Sequence, residues 1–136
     1  MQKSKFFIIF LLVLLFSGCG HRLDERYWVR HHEVLDDILI QCGAMRADQA
    51  KQDRTCELAN AVDQEYETSY QELEMDRAAF GRKILAAQMQ LTKLGDQMAL
   101  SEKTDRAKWQ VLKQQYDDLR RKINVMVTFV AVSEGL

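Results

Sequence analysis

The sequence predicts an all-α protein, in which a disulfide-linked helix pair is followed by a long antiparallel helical hairpin. The 136 residues include no proline and six glycines, whereas a β-rich fold normally needs more turn-forming residues. Apolar residues recur at spacings of three and four, which is the period of a helix face. Two cysteines, Cys42 and Cys56, are placed to join the first two predicted helices.

Residues 1–18 have the organisation of a secretory signal peptide. Lys3 and Lys5 form a short positive region, residues 6–16 are uninterruptedly apolar, and small residues then precede Cys19. The apolar run is shorter than the roughly 20 residues that a transmembrane helix needs. We therefore expect these residues to be removed from an exported protein.

The end of this signal resembles the lipobox of bacterial lipoproteins. It reads Leu-Phe-Ser-Gly-Cys and ends at Cys19, although Phe16 stands where that family prefers Leu, Val or Ile. The resemblance implies a Cys19 acylated through its sulfur, with several acyl chains that hold the protein firmly on a membrane. Gly20 rather than Asp after the cysteine implies a periplasm-facing protein of the outer rather than the inner membrane. The alternative is an ordinary cleaved signal with an unmodified cysteine.

The charge of the mature chain argues against a nucleic-acid partner. After loss of Lys3 and Lys5 the chain has 17 basic and 20 acidic side chains, a net charge of −3, whereas binding to nucleic acid calls for a basic patch. The same balance gives no support for adhesion to anionic lipid. Contact with a membrane is therefore expected through the lipid anchor alone.

Residues 19–62 are predicted to form a lipid-anchored helix pair. The first helix carries its apolar face on Trp28, His31, Leu35, Ile38 and Cys42. The second carries it on Cys56, Ala59, Val62 and Tyr66. Gly43 is a natural end for the first helix, and Asp48 or Asp53 could cap the start of the next.

With Cys19 assigned to the lipid, Cys42 and Cys56 are the candidate disulfide pair of an exported protein. Such a loop contributes roughly 3 kcal/mol in the chain-entropy model. Metal binding by these cysteines with His31 and His32 is the alternative. However, the spacing matches no zinc signature, and neighbouring histidines on a helix point about 100° apart. We expect no metal and no cofactor besides the covalent lipid.

Four residues of the first helix are candidates for binding a partner protein: Tyr27, Trp28, His31 and His32. The alternative is an apolar helix face with amphipathic edges.

The N-terminal third of the chain resembles the entry-exclusion lipoprotein family of conjugative elements (EexN type). After the lipobox, the residues that carry the resemblance are Tyr27, Trp28, His31, His32, Leu35, Leu39, Cys42, Asp53, Cys56 and Ala59. The last three form an Asp-x-x-Cys-x-x-Ala signature. The match covers residues 19–62, lacks the Asn-Pro turn common in the family, and leaves residues 63–136 as an extension. The resemblance implies that the protein makes a cell a poor recipient for a second conjugative element, by binding a protein of the secretion apparatus.

Residues 63–136 are predicted to form a helical hairpin or coiled coil. A first heptad seam comprises Tyr66, Tyr70, Leu73, Arg77, Phe80, Ile84, Ala87, Leu91, Leu94 and Met98. A second comprises Trp109, Leu112, Tyr116, Leu119, Ile123, Met126 and Val130. Between them, Ser101, Thr104 and Asp105 are candidate N-caps, which favours an antiparallel hairpin. The alternative is one helix of about 65 residues, about 100 Å long, that forms a homo-oligomer through its stripe.

Two features of this region allow more than one interpretation. Arg77 is the one charged residue in the seams, and it either contacts a partner or extends to the edge. Residues 125–132 are strongly apolar, and they form either the buried end of the last helix or an exposed binding segment.

No catalytic motif is present. The sequence lacks a nucleophile signature, a glycine-rich phosphate loop and a histidine–carboxylate metal spacing, so we expect no enzyme activity and no catalytic residue. The expected role is entry exclusion. The rival is a structural or accessory lipoprotein of a secretion channel, or an envelope spacer.

Overall fold

A computed structural model describes residues 24–136, and within them it shows six helices and no strand. The helices are α1 (Glu25–Arg30), α2 (His32–Ala44), α3 (Ala47–Gln52), α4 (Arg54–Met75), α5 (Arg77–Ser101) and α6 (Arg106–Ser133). The predicted all-α class is confirmed. The predicted signal peptide and Cys19 lie outside the described residues.

Helices α5 and α6 form the predicted antiparallel hairpin rather than one long helix. Phe80 near the start of α5 packs with Ile123 and Met126 near the end of α6, whereas Gly95 later in α5 lies beside the ring of Tyr116. The chain reverses at residues 102–105. Asp105 caps α6, since its carboxylate accepts a hydrogen bond of 3.0 Å from the backbone N–H of Lys108.

The first predicted heptad seam is interrupted at Asp76, where the sequence periodicity does not indicate a break. Asp76 has an extended backbone (φ −154°, ψ 95°) between α4 and α5, and its carboxylate accepts a hydrogen bond of 2.9 Å from the N–H of Ala79. Arg77 therefore opens a new helix and is largely exposed. It pairs with Glu134 at 3.3 Å, and an exposed ion pair of this kind adds little stability.

The predicted first helix is likewise divided, because His31 leaves helical geometry (φ −125°, ψ 66°) between α1 and α2. Asp24 caps α1 through the backbone N–H of Arg26 at 3.0 Å. Val29 is buried together with its neighbour Trp28 within α1, although the predicted apolar face included only Trp28.

The helix pair and the hairpin share a core. Its first cluster of buried residues comprises Trp28, Val29, Leu35, Ala59, Val62, Val125 and Phe129. Val125 and Phe129 belong to the apolar end of α6, so that end covers the helix pair. Helix α4 runs unbroken through position 62, where the sequence placed a boundary between two parts.

The stability of the protein should depend on pH through Glu65 on α4. This residue lies with Lys83 and Lys122 beside the α5–α6 seam, and burial raises its pKa above 4.5 despite the two lysines. The folded protein thus holds this proton more tightly than the unfolded chain. The contribution of this proton to the free energy of unfolding is present below pH 4.5. It is lost as the pH rises through the pKa of Glu65 in the folded protein.

We therefore expect Glu65→Gln to raise the melting temperature at neutral pH. The gain should shrink towards zero as the pH falls below 4.5, where the wild-type carboxyl is also neutral. Glu74→Gln, on the exposed face of the same helix, is the matched control and should show no such trend. Thermal melts across this pH range measure both variants, and a constant difference for Glu65→Gln would contradict the assignment.

Candidate functional site: an acidic aromatic patch on the disulfide-linked helices

The predicted disulfide is present. Cys42 in the last turn of α2 is bonded to Cys56 in the first turn of α4, with their Cα atoms 5.6 Å apart. Both cysteines are buried. The bond fixes α2 against α4 across the short helix α3, which the sequence did not predict.

The three signature residues build this joint. The carboxylate of Asp53 accepts hydrogen bonds from the backbone N–H groups of Thr55 and Cys56, at 2.8 and 3.1 Å, and so caps α4. Cys56 carries the disulfide, and Ala59 is completely buried in the shared core. Of the two predicted caps, Asp53 fills that position, while Asp48 lies within α3. Because the three signature residues stabilise the fold, a partner protein would have to be recognised by other side chains that face outward.

The structure separates the four candidate partner-binding residues. Trp28 is only 5 % exposed and lies in the core, so it offers almost no surface to a partner. Tyr27 is 46 % exposed, and its ring centroid lies 4.4 Å from that of His31. His32 points elsewhere, with its ring centroid 4.4 Å from that of Tyr66 on α4.

The contact between His32 and Tyr66 begins a row of aromatic rings across α2, α4 and α6. Tyr66 meets the buried ring of Phe129 edge-on, with centroids 5.0 Å apart. Tyr70, one turn further along α4, meets the same ring edge-on at 6.4 Å. Edge-to-face packing of this kind is a favoured arrangement of aromatic rings. Phe129 thus supports Tyr66 and Tyr70 from below, and Tyr70 remains 49 % exposed.

Carboxylates surround this aromatic row. A carboxylate oxygen of Asp36 lies 3.4 Å from Nδ1 of His32. Burial raises the pKa of Tyr66, and the negative charges of Glu67 and Asp36 raise it further. We call this surface, formed by His32, Asp36, Tyr66, Glu67 and Tyr70, the acidic aromatic patch.

The patch belongs to a strongly acidic part of the molecule. Residues 24–76 contain 14 acidic and 5 basic side chains, a net charge of −9. Residues 77–136 contain 6 acidic and 11 basic side chains, a net charge of +5. The net charge of the whole chain, −1, conceals this division. Counting charge by segment is the sequence signal that reveals it.

The patch is suited to binding a cationic protein segment. Exposed tyrosine rings attract Lys and Arg with about 0.5–1 kcal/mol at surface sites, and a surface of one sign steers an oppositely charged partner towards it. Tyrosine is also among the residues that contribute most to binding at protein interfaces. A segment rich in Lys or Arg is therefore the kind of ligand that this chemistry favours.

Two other features are absent from the same part of the chain. Within residues 24–136, no group of three or more His, Cys, Asp or Glu side chains is arranged to hold a metal ion. None of the helices in this range is both long enough and apolar enough to cross a membrane.

Comparisons with protein-family models, with curated proteins and with solved structures found no match to this chain.

Proposed function

We propose that this protein is a lipoprotein, anchored through Cys19 to the periplasmic face of the outer membrane, that acts in entry exclusion against redundant conjugative transfer. It would do so by binding a protein of the incoming conjugative apparatus. The observation that carries this proposal is the acidic aromatic patch on helices that follow directly after the predicted anchor. No catalytic step is required of such a protein.

The short tether supports a role close to the membrane. Only residues 20–24 separate Cys19 from the start of α1, and five residues span at most about 18 Å when fully extended. A lipid on Cys19 would therefore hold the helix pair within reach of any protein assembling at that membrane. A short tether also raises the effective concentration of the patch at the surface.

The cysteine signature also supports the proposal. In this chain the spacing of Asp53, Cys56 and Ala59 has a physical reason, because one residue caps α4, one carries the disulfide and one packs in the core. A resemblance to entry-exclusion lipoproteins in these residues therefore implies a similar joint between two helices. The exposed side chains on these two helices would then determine which partner protein binds.

The second candidate function is a structural or accessory role in a secretion channel or as an envelope spacer. The hairpin favours it, because the 28 residues of α6 extend for about 42 Å. A rigid element of that length is suited to holding two envelope components apart.

A conjugation assay tests the proposal. The chain should be expressed alone in recipient cells, and transfer from a donor carrying the matching element should fall relative to recipients with an empty vector. Cys19→Ser should abolish lipid labelling, leave uncut precursor and lose exclusion, whereas the anchor proposal fails if this variant is still processed and lipid-labelled. Unchanged transfer into wild-type recipients, combined with a transfer defect in donors that lack the protein, would favour the structural role.

A further inference from the structure

Helix α5 carries an exposed stripe of residues on the side turned away from the hairpin seam. Leu85 and Met89 are 58 % and 67 % exposed, and they are flanked by the exposed side chains of Arg82 and Lys93. The spacings of three, four and four place all four residues along one side of a helix. We call Arg82, Leu85, Met89 and Lys93 the basic stripe.

The cations of the basic stripe are not used within the chain. Neither Arg82 nor Lys93 forms an ion pair with any residue among 24–136. Lys83, on the side of α5 that meets α4, pairs with Glu72 at 2.6 Å. The stripe lies on a different side of α5 from Lys83, and neither of its cations pairs with a carboxylate of α4.

The acidic aromatic patch has a matching pattern. Along α4 it presents Glu67 and Tyr70, and the exposed Glu74 continues the row one turn further. Like the basic stripe, this row places charged residues on either side of apolar surface at spacings of three and four, but its charge is of the opposite sign. Both carboxylates lack an ion-pair partner among the described residues.

We propose that the basic stripe of one copy binds the acidic aromatic patch of a second copy. Each copy offers both surfaces, so the contact can form twice about a two-fold axis and close as a dimer. The pairing brings the +5 hairpin of one chain beside the −9 segment of the other. The dimer can form whether or not the protein acts in exclusion, but it uses the patch assigned to partner binding, so a conjugative partner would compete with the second copy for that surface.

Sedimentation of the mature chain, residues 19–136 carrying Cys19→Ser, tests this pairing. We expect a dimer at low ionic strength, and about tenfold weaker association when salt rises from about 0.05 to about 0.5 M, because screening shortens the reach of charge. R82E/K93E and E67K/E74K should each weaken association by about a hundredfold, since each places like charges opposite one another.

Mixing the two charge-reversed variants gives the decisive result. In a mixed dimer one contact is wild-type and the other has both signs exchanged, so equal amounts of the two variants should re-form a dimer. The matched control K103E/K108E changes the same charge at the exposed tip of the hairpin and should remain dimeric. A monomeric wild-type protein at low salt, dissociation of the control to the same extent, or failure of the mixture to associate would each overturn the proposal.

Discussion

Reduction of the Cys42–Cys56 disulfide should lower the free energy of unfolding by about 3 kcal/mol. The bond closes a loop with a sequence separation of 14, and closing a loop of about that size removes conformational entropy mainly from the unfolded chain. The loss is large for a small domain, whose total stability is typically about 5–15 kcal/mol. Denaturant titrations of oxidised and reduced protein measure the difference directly.

The double variant Cys42→Ser/Cys56→Ser provides the control. It should unfold like the reduced wild-type protein and should not respond to reductant. Reaction of Cys42 or Cys56 with a thiol reagent in freshly prepared native protein would show that the bond does not form. An equal stability of oxidised and reduced protein would show that the joint is held by packing alone.

Phe129→Ala should be the most damaging single substitution in the shared core, with a loss of about 3–5 kcal/mol. Phe129 is buried among residues from the helix pair, and its ring supports both Tyr66 and Tyr70. Its removal should therefore loosen the acidic aromatic patch as well as destabilise the fold. Denaturant unfolding measures the loss of stability, and near-ultraviolet circular dichroism of the tyrosines measures the loosening of the patch.

Val127→Ala is the matched control for this substitution. Val127 lies on the same helix two positions away but is 43 % exposed, so its truncation should cost less than about 1 kcal/mol and leave the tyrosine signal unchanged. Equal losses for the two variants would mean that the end of α6 does not cover the helix pair.

Local sequence signals are sufficient to predict the disulfide and the hairpin. The two cysteines left after assignment of Cys19 had one possible partner each, and the polar residues 101–106 separated two apolar seams. Asp105, one of the three predicted caps, fills that position. These features depend on neighbours in the sequence, and periodicity and capping preferences describe such neighbours well.

The break at Asp76 could not be predicted from periodicity. The heptad continues through it, and neither glycine nor proline marks the position. Aspartate is tolerated inside helices but is also a strong N-cap. Packing decides between the two states, since α4 packs against α2, to which it is disulfide-bonded, while α5 lies along α6.

The burial of Trp28 depends on residues about a hundred positions away. Trp28 looked like a candidate for a surface patch, but Val125 and Phe129 of α6 share its core. The heptad pattern predicts Tyr66 and Tyr70 in a coiled-coil seam, whereas the structure arranges them around Phe129. The acidic aromatic patch is therefore a product of long-range packing that a helical period does not report.

The shared core also decides how the binding surface must be tested. A fragment that ends near Val62 would keep the disulfide but lose Val125 and Phe129, which are part of its core. Loss of exclusion by such a fragment would not separate recognition from folding. Substitutions of exposed residues avoid this ambiguity.

The most direct test of the central claim is the transfer frequency into recipients that express the full protein with Glu67→Lys and Tyr70→Ala. Both side chains are exposed members of the patch, so the variant should fold. At matched protein levels it should lose exclusion, because the substitutions remove a negative charge and an aromatic contact offered to the partner. R82E/K93E, which leaves the patch intact, should still exclude. Full exclusion by the Glu67→Lys/Tyr70→Ala variant would contradict the assignment of recognition to the acidic aromatic patch.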